Sequence, residues 1–127
     1  METKKMMKAI VKTKRERGAE YKDVPVPEPE AEEVLVKVHA AAICGTDIHI
    51  YQWNKWAQEN FERSFSKIPR IMGHEFSGEI VKKGSLVNNV EIGQRVACET
   101  HIPCGHCYQC RTGDTYNCLN IRRFRDG

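Results

Sequence analysis

Short runs of apolar residues alternate with polar stretches along the chain, and this pattern predicts a mainly β fold. Strands are expected at residues 7–13, 21–26 and 34–42, and the third of these, VLVKVHAAA, combines β-branched residues with partial alternation. Two more strands are expected at residues 75–83 and 94–99, with glycines in the intervening turns. Short strands separated by glycine turns are typical of a β-barrel, closed or partly closed.

Polar and proline-rich segments predict how these strands are connected. Three prolines between residues 25 and 29 favour an extended connection that is not helical. A short helix is expected to be capped by Thr46 or Asp47 and to run through His49. Residues 54–67 are polar with scattered aromatic side chains, so we expect a long loop with some helix there.

Composition narrows the class of protein. With 40% hydrophobic and 29% charged residues, the chain is typical of a soluble globular protein rather than a disordered or membrane-spanning one. The lysine-rich N-terminus is not followed by an apolar run of signal-peptide length, so we expect a cytoplasmic protein. A length of 127 residues is typical of one domain, which we expect to span residues 1–127. A net charge of +3 is too small to indicate nucleic acid, and we expect neither nucleic-acid nor membrane partners.

Six cysteines in such a compartment favour metal binding over disulfides. Tetrahedral zinc takes four thiolates at a spacing such as C-x2-C-x2-C-x7-C, and four protein ligands leave no position for substrate, which makes such a site structural. The spacing favours zinc over an iron–sulfur cluster, whose bacterial pattern places the fourth cysteine after three residues and before a proline. Ordinary buried thiols are the third alternative. The four cysteines are Cys104, Cys107, Cys110 and Cys118.

A second candidate metal site combines residues from two segments. Cys44 ends the strongest predicted strand, and His74 and Glu75 lie between Gly73 and Gly78. Catalytic zinc sites use three ligands drawn from cysteine, histidine and carboxylates, and they keep one position open. Cys44, His74 and Glu75 fit that rule, although the residues alone agree equally well with a core cysteine and an exposed His-Glu pair.

Taken together, these segments resemble the zinc-containing alcohol dehydrogenases of the medium-chain family. The pattern G-H-E-x2-G-x5-G-x2-V at residues 73–87 is similar to the family signature. It follows a C-G-T-D segment and precedes the four cysteines, which is the order found in the family. The segments that resemble the threonine dehydrogenases within that family are ICGTDIHIY at 43–51, Trp53, WAQ at 56–58 and ETH at 99–101.

The resemblance covers about residues 7–120 and implies both a fold and an activity. The implied fold is a mainly β, GroES-like, partly closed β-barrel with short helices and a zinc-bound four-cysteine lobe at residues 98–120. The implied activity is the NAD-dependent oxidation of a secondary alcohol, most narrowly of L-threonine to 2-amino-3-oxobutanoate. The implied cofactors are structural and catalytic zinc, with NAD in the full-length enzyme, which is expected to be a homo-oligomer.

The resemblance also implies a role for each matching side chain. Cys44 and His74 would bind the catalytic zinc, with Glu75 as a third ligand or as a carboxylate beside it. Thr46 would lie next to the substrate oxygen, and His49 would pass the alcohol proton onward. The structural zinc would be held by Cys104, Cys107, Cys110 and Cys118.

Three of the polar side chains have simpler interpretations as well. His49 also agrees with an exposed helix histidine, and His101 agrees equally with a substrate-facing residue and a plain loop residue. Cys98, on an apolar predicted strand, is expected to be a small core residue.

The cofactor domain of the family has no recognisable motif in this sequence. Dinucleotide-binding domains need G-x-G-x-x-G between a strand and a helix, and none of the nine glycines forms it. We therefore expect the catalytic domain of a longer enzyme, which would bind zinc but would not turn over substrate without its cofactor domain. The alternatives are a stand-alone zinc-binding protein or one half of a split dehydrogenase that acts through a partner chain.

Overall fold

The computed structural model describes residues 5–64 and 68–122, in which six strands form two antiparallel three-stranded sheets. The strands are β1 (Met6–Lys12), β2 (Glu20–Pro25), β3 (Val34–Ala41), β4 (Arg70–Ile71), β5 (Phe76–Lys83) and β6 (Arg95–Ala97). The helices are α1 (Gly45–Gln52), α2 (Lys55–Ser64) and α3 (Tyr108–Arg111), and a 3-10 turn follows at Thr115–Asn117. Within these ranges no helix combines the length and apolar character needed to cross a membrane.

The first sheet has the strand order β2-β1-β4, and Ile50 of α1 packs against Met72 beside the β4 edge. β1 pairs with β2 over most of its length and with β4 at its C-terminal end, where the buried Val11 lies opposite Ile71. Ile50 of α1 is buried against Trp53 and Met72, and Met72 directly follows β4. The apolar core in this part of the molecule therefore lies between α1 and the β4 edge of the sheet.

The second sheet has the strand order β3-β5-β6 and brings the two segments of the predicted catalytic zinc site together. At one end of the β3–β5 ladder Ala41 lies opposite Phe76, and the Ala42 N–H extends the ladder by donating to the Glu75 carbonyl at 2.8 Å. On the other side of β5, the Cys98 N–H donates to the Phe76 carbonyl at 3.0 Å. Because these strands are antiparallel, the residues that follow β3 lie beside those that precede β5.

Two glycines of the motif at residues 73–87 allow close approach between backbone segments. A Cβ atom on Gly78 in β5 would lie 2.2 Å from the Lys37 carbonyl oxygen on β3. A Cβ atom on Gly84 would lie 2.0 Å from the Glu30 carbonyl oxygen. Neither distance leaves space for a side chain, so backbone packing is the physical reason for glycine at these two positions.

The predicted class, mainly β with a few short helices, is confirmed. The five predicted strands correspond to β1, β2, β3, β5 and β6, although β6 is shorter than expected. The additional strand β4 has only two residues, too few to produce an alternation in the sequence. Within the described residues the two sheets are separate and not closed, so the barrel is at most partly closed.

The predicted cap of α1 is wrong, and helix occupies far more of residues 54–67 than predicted. The N-cap is Cys44, and Asp47 occupies the third helical position, from which its Oδ2 accepts the Cys44 N–H at 3.0 Å. α2 occupies most of the predicted loop because Asn54 caps it, with Oδ1 accepting the Ala57 N–H at 3.2 Å. The last three residues of that segment lie outside the described ranges.

Lys12 is completely buried where β1, the following loop and α1 meet. Its Nζ donates to the carbonyl oxygens of Glu16, Gly18 and Tyr51, the last two at 2.9 and 3.4 Å. The ammonium group also lies 5.2 Å from the centre of the Trp53 ring. Burial lowers the pKa of Lys12 from its ordinary value. Because Tyr51 is in the last turn of α1, this cation lies at the negative end of the helix dipole.

Lys12→Met is expected to lower the free energy of unfolding by about 1–3 kcal/mol, because three carbonyl oxygens lose their buried donor. As a matched control, Lys14→Met removes an exposed lysine whose Nζ lies 3.8 Å from Glu16. The Lys14→Met substitution should change the free energy of unfolding by less than about 0.5 kcal/mol. Urea denaturation followed by circular dichroism measures both, and equal losses in the two variants would contradict the role given to Lys12.

Candidate metal sites

Cys44, His74 and Glu75 come together at the junction of β3 and β5. One ligand atom from each side chain lies within 4.8 Å of the other two, and all three residues are half-buried. Cys44 follows β3 whereas His74 and Glu75 precede β5, so the antiparallel ladder brings them side by side. A thiol, an imidazole and a carboxylate form the donor set of a zinc site with three protein ligands and one further coordination position.

Asp47 links the two segments of this group. Its carboxylate, 8% exposed, accepts the Cys44 N–H through Oδ2 at 3.0 Å and the Gly73 N–H through Oδ1 at 3.3 Å. Oδ1 also lies 3.6 Å from His74 Nδ1, which is beyond hydrogen-bond distance but places that edge of the imidazole toward the carboxylate. One buried side chain therefore joins Cys44 to the residue that precedes His74.

Thr46 and His49 lie on α1, close to this group in sequence. Thr46 is in the first helical turn, and His49, three residues later, is its neighbour on the same side of the helix. His49 Nδ1 lies 2.7 Å from Asn54 Nδ2, and its ring centre lies 5.0 Å from that of Trp56, with 30° between the two planes. α1 thus holds a hydroxyl and an imidazole next to each other, starting two residues after Cys44.

The four cysteines converge in a lobe that is closed by a backbone bridge. Ile102 and Arg122 exchange two backbone hydrogen bonds of 3.0 Å each, which join the two ends of the lobe. Between these ends, one sulfur from each of the four cysteines lies within 4.8 Å of the other three. Gly113 follows the C-cap Thr112 of α3 and has a φ of 89°, the left-handed conformation that is typical of a glycine just after a helix.

The positions and surroundings of the sulfurs fit tetrahedral zinc. Cys107 Sγ lies 3.9 Å from Cys118 Sγ. Two sulfurs bound to one zinc ion at about 2.3 Å are about 3.8 Å apart. The backbone N–H groups of Cys104 and Asn120 both donate to Cys118 Sγ, at 3.3 and 3.4 Å. Such N–H donors stabilise the negative charge of a metal-bound thiolate.

Backbone N–H groups lower the pKa values of thiols in the lobe, whereas burial raises them. A hydrogen bond from the His106 backbone lowers the pKa of Cys104 to about 6, and one from the Cys110 backbone lowers the pKa of Cys107. Burial raises the pKa of Cys110 to about 12. Binding of a cation by all four sulfurs therefore has to displace the proton that Cys110 otherwise retains near pH 7.

Cys98 and His101 belong to neither group of converging ligands. Burial raises the pKa of Cys98, which keeps it a neutral thiol near pH 7. His101 Nδ1 lies 2.9 Å from Glu99 Oε1, and this hydrogen bond lowers the pKa of Glu99. The His101 ring also meets Tyr116 edge-on, with ring centres 6.1 Å apart. His101 is thus held locally, on the loop between β6 and the lobe.

Asp47 and Asn54 organise the candidate site but give only weak signals in the sequence. The C-x-x-D spacing of Cys44 and Asp47 matches a capping box with cysteine in place of serine. Asn54 is recognisable as an N-cap residue. Its contact with His49 depends on the left-handed conformation of Trp53, at φ 52°, which no rule of sequence spacing predicts.

The sequence matches the family profile of the alcohol dehydrogenase GroES-like domain over residues 30–126. The L-threonine 3-dehydrogenase of Pyrococcus abyssi is 52% identical to this chain over 118 residues, which are 93% of the chain and 32% of the relative. The chain therefore spans about one third of the length of the curated relatives that it matches.

Solved structures of two alcohol dehydrogenases share the fold. One from Escherichia coli, complexed with NADH, superposes with a TM-score of 0.72 at 36% identity and covers 94% of this chain and 32% of that chain. One from Pyrobaculum aerophilum, with cobalt and zinc bound, superposes with a TM-score of 0.77 at 28% identity, covering 91% of this chain and 33% of that chain.

Removal of metal from the lobe should disorder residues 104–118 and leave the two sheets folded. In this segment only Cys118 is a buried apolar residue, whereas Tyr108 and Tyr116 are exposed. Zinc bound to such a cluster contributes about 10–16 kcal/mol of apparent binding free energy, far more than this packing supplies. A chelator, or Cys107→Ser, should therefore broaden or shift the amide resonances of the lobe, while Cys98→Ser should not. Unchanged lobe resonances after chelation would rule out a metal-ordered lobe.

Asp47→Asn is expected to weaken zinc binding by Cys44, His74 and Glu75 by about 10–100-fold. The N–H groups of Cys44 and Gly73 are accepted by different carboxylate oxygens, and an amide would place an NH2 donor at one of these two positions, so one N–H would lose its acceptor. Asp23→Asn makes the same change at an exposed carboxylate that contacts Lys8 at 2.8 Å, and it should leave the affinity unchanged. Once zinc saturates the four cysteines of the lobe, competition with a chromophoric chelator measures the zinc affinity of the second site in both variants. Equal affinities of the Asp47 and Asp23 variants would refute this link.

Proposed function

The chain belongs to the alcohol dehydrogenase GroES-like domain family, and we propose that it supplies the zinc-dependent, substrate-binding part of an NAD-dependent oxidoreductase that oxidises L-threonine to 2-amino-3-oxobutanoate. The observation that carries this proposal is the convergence of Cys44, His74 and Glu75 at the start of a helix that bears Thr46 and His49. The choice of L-threonine is supported by relatives such as the Pyrococcus abyssi enzyme, 52% identical over nearly the whole chain.

The donor chemistry assigns different roles to the two groups of ligands. Cys44 and His74, with Glu75 as third ligand or neighbouring carboxylate, would hold a catalytic zinc. When bound there, zinc supplies Lewis-acid polarisation of the substrate hydroxyl. The four cysteines of the lobe would fill every position around a second, structural zinc. The zinc-containing relative from Pyrobaculum aerophilum supports this assignment over an iron–sulfur cluster.

Thr46 and His49 are assigned to the proton of the substrate hydroxyl. Oxidation of a secondary alcohol removes one hydride and one proton. The Thr46 hydroxyl can accept the substrate proton while it releases its own, and His49, one turn further along α1, is placed to pass a proton onward. Asp47 assists by fixing Cys44 and His74 relative to this helix.

The hydride acceptor is assigned to a dinucleotide-binding domain of the kind that the family resemblance implies. Hydride transfer needs the donor carbon and the nicotinamide ring at about 3–3.5 Å in aligned geometry. The nine glycines of this chain include no G-x-G-x-x-G turn that could bind the pyrophosphate. We therefore propose that turnover requires such a domain in addition to residues 1–127.

A chimera tests this function. Residues 1–127 would replace the matching segment of the Pyrococcus abyssi enzyme, and the chimera should form NADH only when both NAD and L-threonine are present. The 127-residue chain alone should form none. NADH formation by the chain alone, or a chimera that binds zinc and NAD but ignores L-threonine, would refute the proposal.

Substitutions in the chimera separate the assigned roles. Cys44→Ser should abolish turnover together with zinc at that site. His49→Ala should lower kcat by about 10²–10⁴-fold and leave the zinc content unchanged, because it removes a proton carrier and no ligand. His39→Ala, on the exposed part of β3, is the matched control and should retain full activity.

A further inference from the structure

The contact between His49 and Asn54 carries information about where the histidine holds its proton. His49 Nδ1 lies 2.7 Å from Asn54 Nδ2, a short distance for a hydrogen bond between two nitrogens. An amide nitrogen can only donate, so His49 Nδ1 has to accept. A neutral imidazole that accepts at Nδ1 carries its single proton on Nε2.

The orientation of the Asn54 amide is fixed independently of the histidine. Asn54 Oδ1 accepts the backbone N–H of Ala57 at 3.2 Å, as the N-cap of α2. A backbone N–H can only donate, so the oxygen must face Ala57 and the NH2 group must face His49. Turning the amide over would leave the N–H of Ala57, which is fully buried, without its acceptor.

We propose that Asn54 is a positioning residue that holds His49 as the neutral tautomer with its proton on Nε2. His49 then presents an N–H donor through Nε2, so in the proposed proton transfer it receives the proton at Nδ1, and the Asn54 amide has to move away first. Trp56 packs against the ring and restricts its tilt. The catalytic meaning of this tautomer rests on the proposed proton-transfer role of His49; the tautomer itself does not.

The test uses the 127-residue chain and the ¹⁵N resonances of the imidazole, recorded above the ordinary histidine pKa of about 6.5. In the wild-type chain His49 Nδ1 should resonate as an unprotonated nitrogen and Nε2 as a protonated one. Asn54→Asp keeps an acceptor for the Ala57 N–H but replaces the donor facing His49 by a second acceptor. His49 Nδ1 should then move to the range of a protonated nitrogen.

Two further variants make the result specific. Gln58→Glu is the same amide-to-carboxylate change on α2, but this amide donates to the Trp53 carbonyl at 2.9 Å, so both His49 resonances should stay at their wild-type positions. Asn54→Ser keeps an N-cap side chain and removes the donor to His49, so the two nitrogens should show averaged, intermediate shifts.

The possible results distinguish this proposal from the proposed function. A protonated Nδ1 in the wild-type chain, or the same tautomer in the wild-type and Asn54→Asp chains, would overturn the role of Asn54. A switched tautomer supports that role. If the switch occurs and the threonine-dependent kcat of the chimera is the same with Asn54→Asp as without it, then proton transfer through His49 is refuted while the positioning by Asn54 stands.

Discussion

The candidate catalytic site depends above all on the buried carboxylate of Asp47. It accepts the N–H of Cys44 with one oxygen and the N–H of Gly73 with the other, and so it joins segments that lie 26 or more residues apart in sequence. A buried carboxylate is costly unless its oxygens are satisfied, so these two contacts also keep Asp47 in place. Because Cys44 and the residue before His74 are both hydrogen-bonded to this side chain, the two candidate ligands are held close enough to reach one ion.

Helix α1 serves as a short support that is fixed at both ends. Asp47 fixes its N-terminal end, and the Lys12 ammonium fixes its C-terminal end through the Tyr51 carbonyl. Both side chains are buried, and the helix dipole favours an acidic group at the N-terminal end and a basic group at the C-terminal end, which is where they lie. His49 lies between these anchors and is further restrained by Asn54. Precise placement of a hydroxyl and an imidazole does not arise from apolar packing alone, since Ile50 is the only buried apolar residue of α1.

The two groups of candidate metal ligands are held by different physical means. Cys44, His74 and Glu75 are positioned by the β3–β5 ladder before any ion is considered, because backbone hydrogen bonds and Asp47 set their spacing. The lobe has a backbone bridge at Ile102 and Arg122 but little apolar burial, so we expect a bound cation to be what keeps its sulfurs and the surrounding segment ordered. The first arrangement suits a site that exchanges ligands, and the second suits a permanent structural ion.

The sequence by itself determined the mainly β class, most of the strands and the C-x2-C-x2-C-x7-C cluster, because these features repeat at short spacing. It singled out Cys44, His74 and Glu75 only through their resemblance to a family motif, and the fold showed that the three side chains meet. The tertiary structure decided what links them: the cap of α1 at Cys44, the shared carboxylate of Asp47, helix α2 in place of a loop, and the contact of Asn54 with His49. Each of these depends on segments that meet only after the chain has folded, since buried polar groups find their partners through space and not along the sequence.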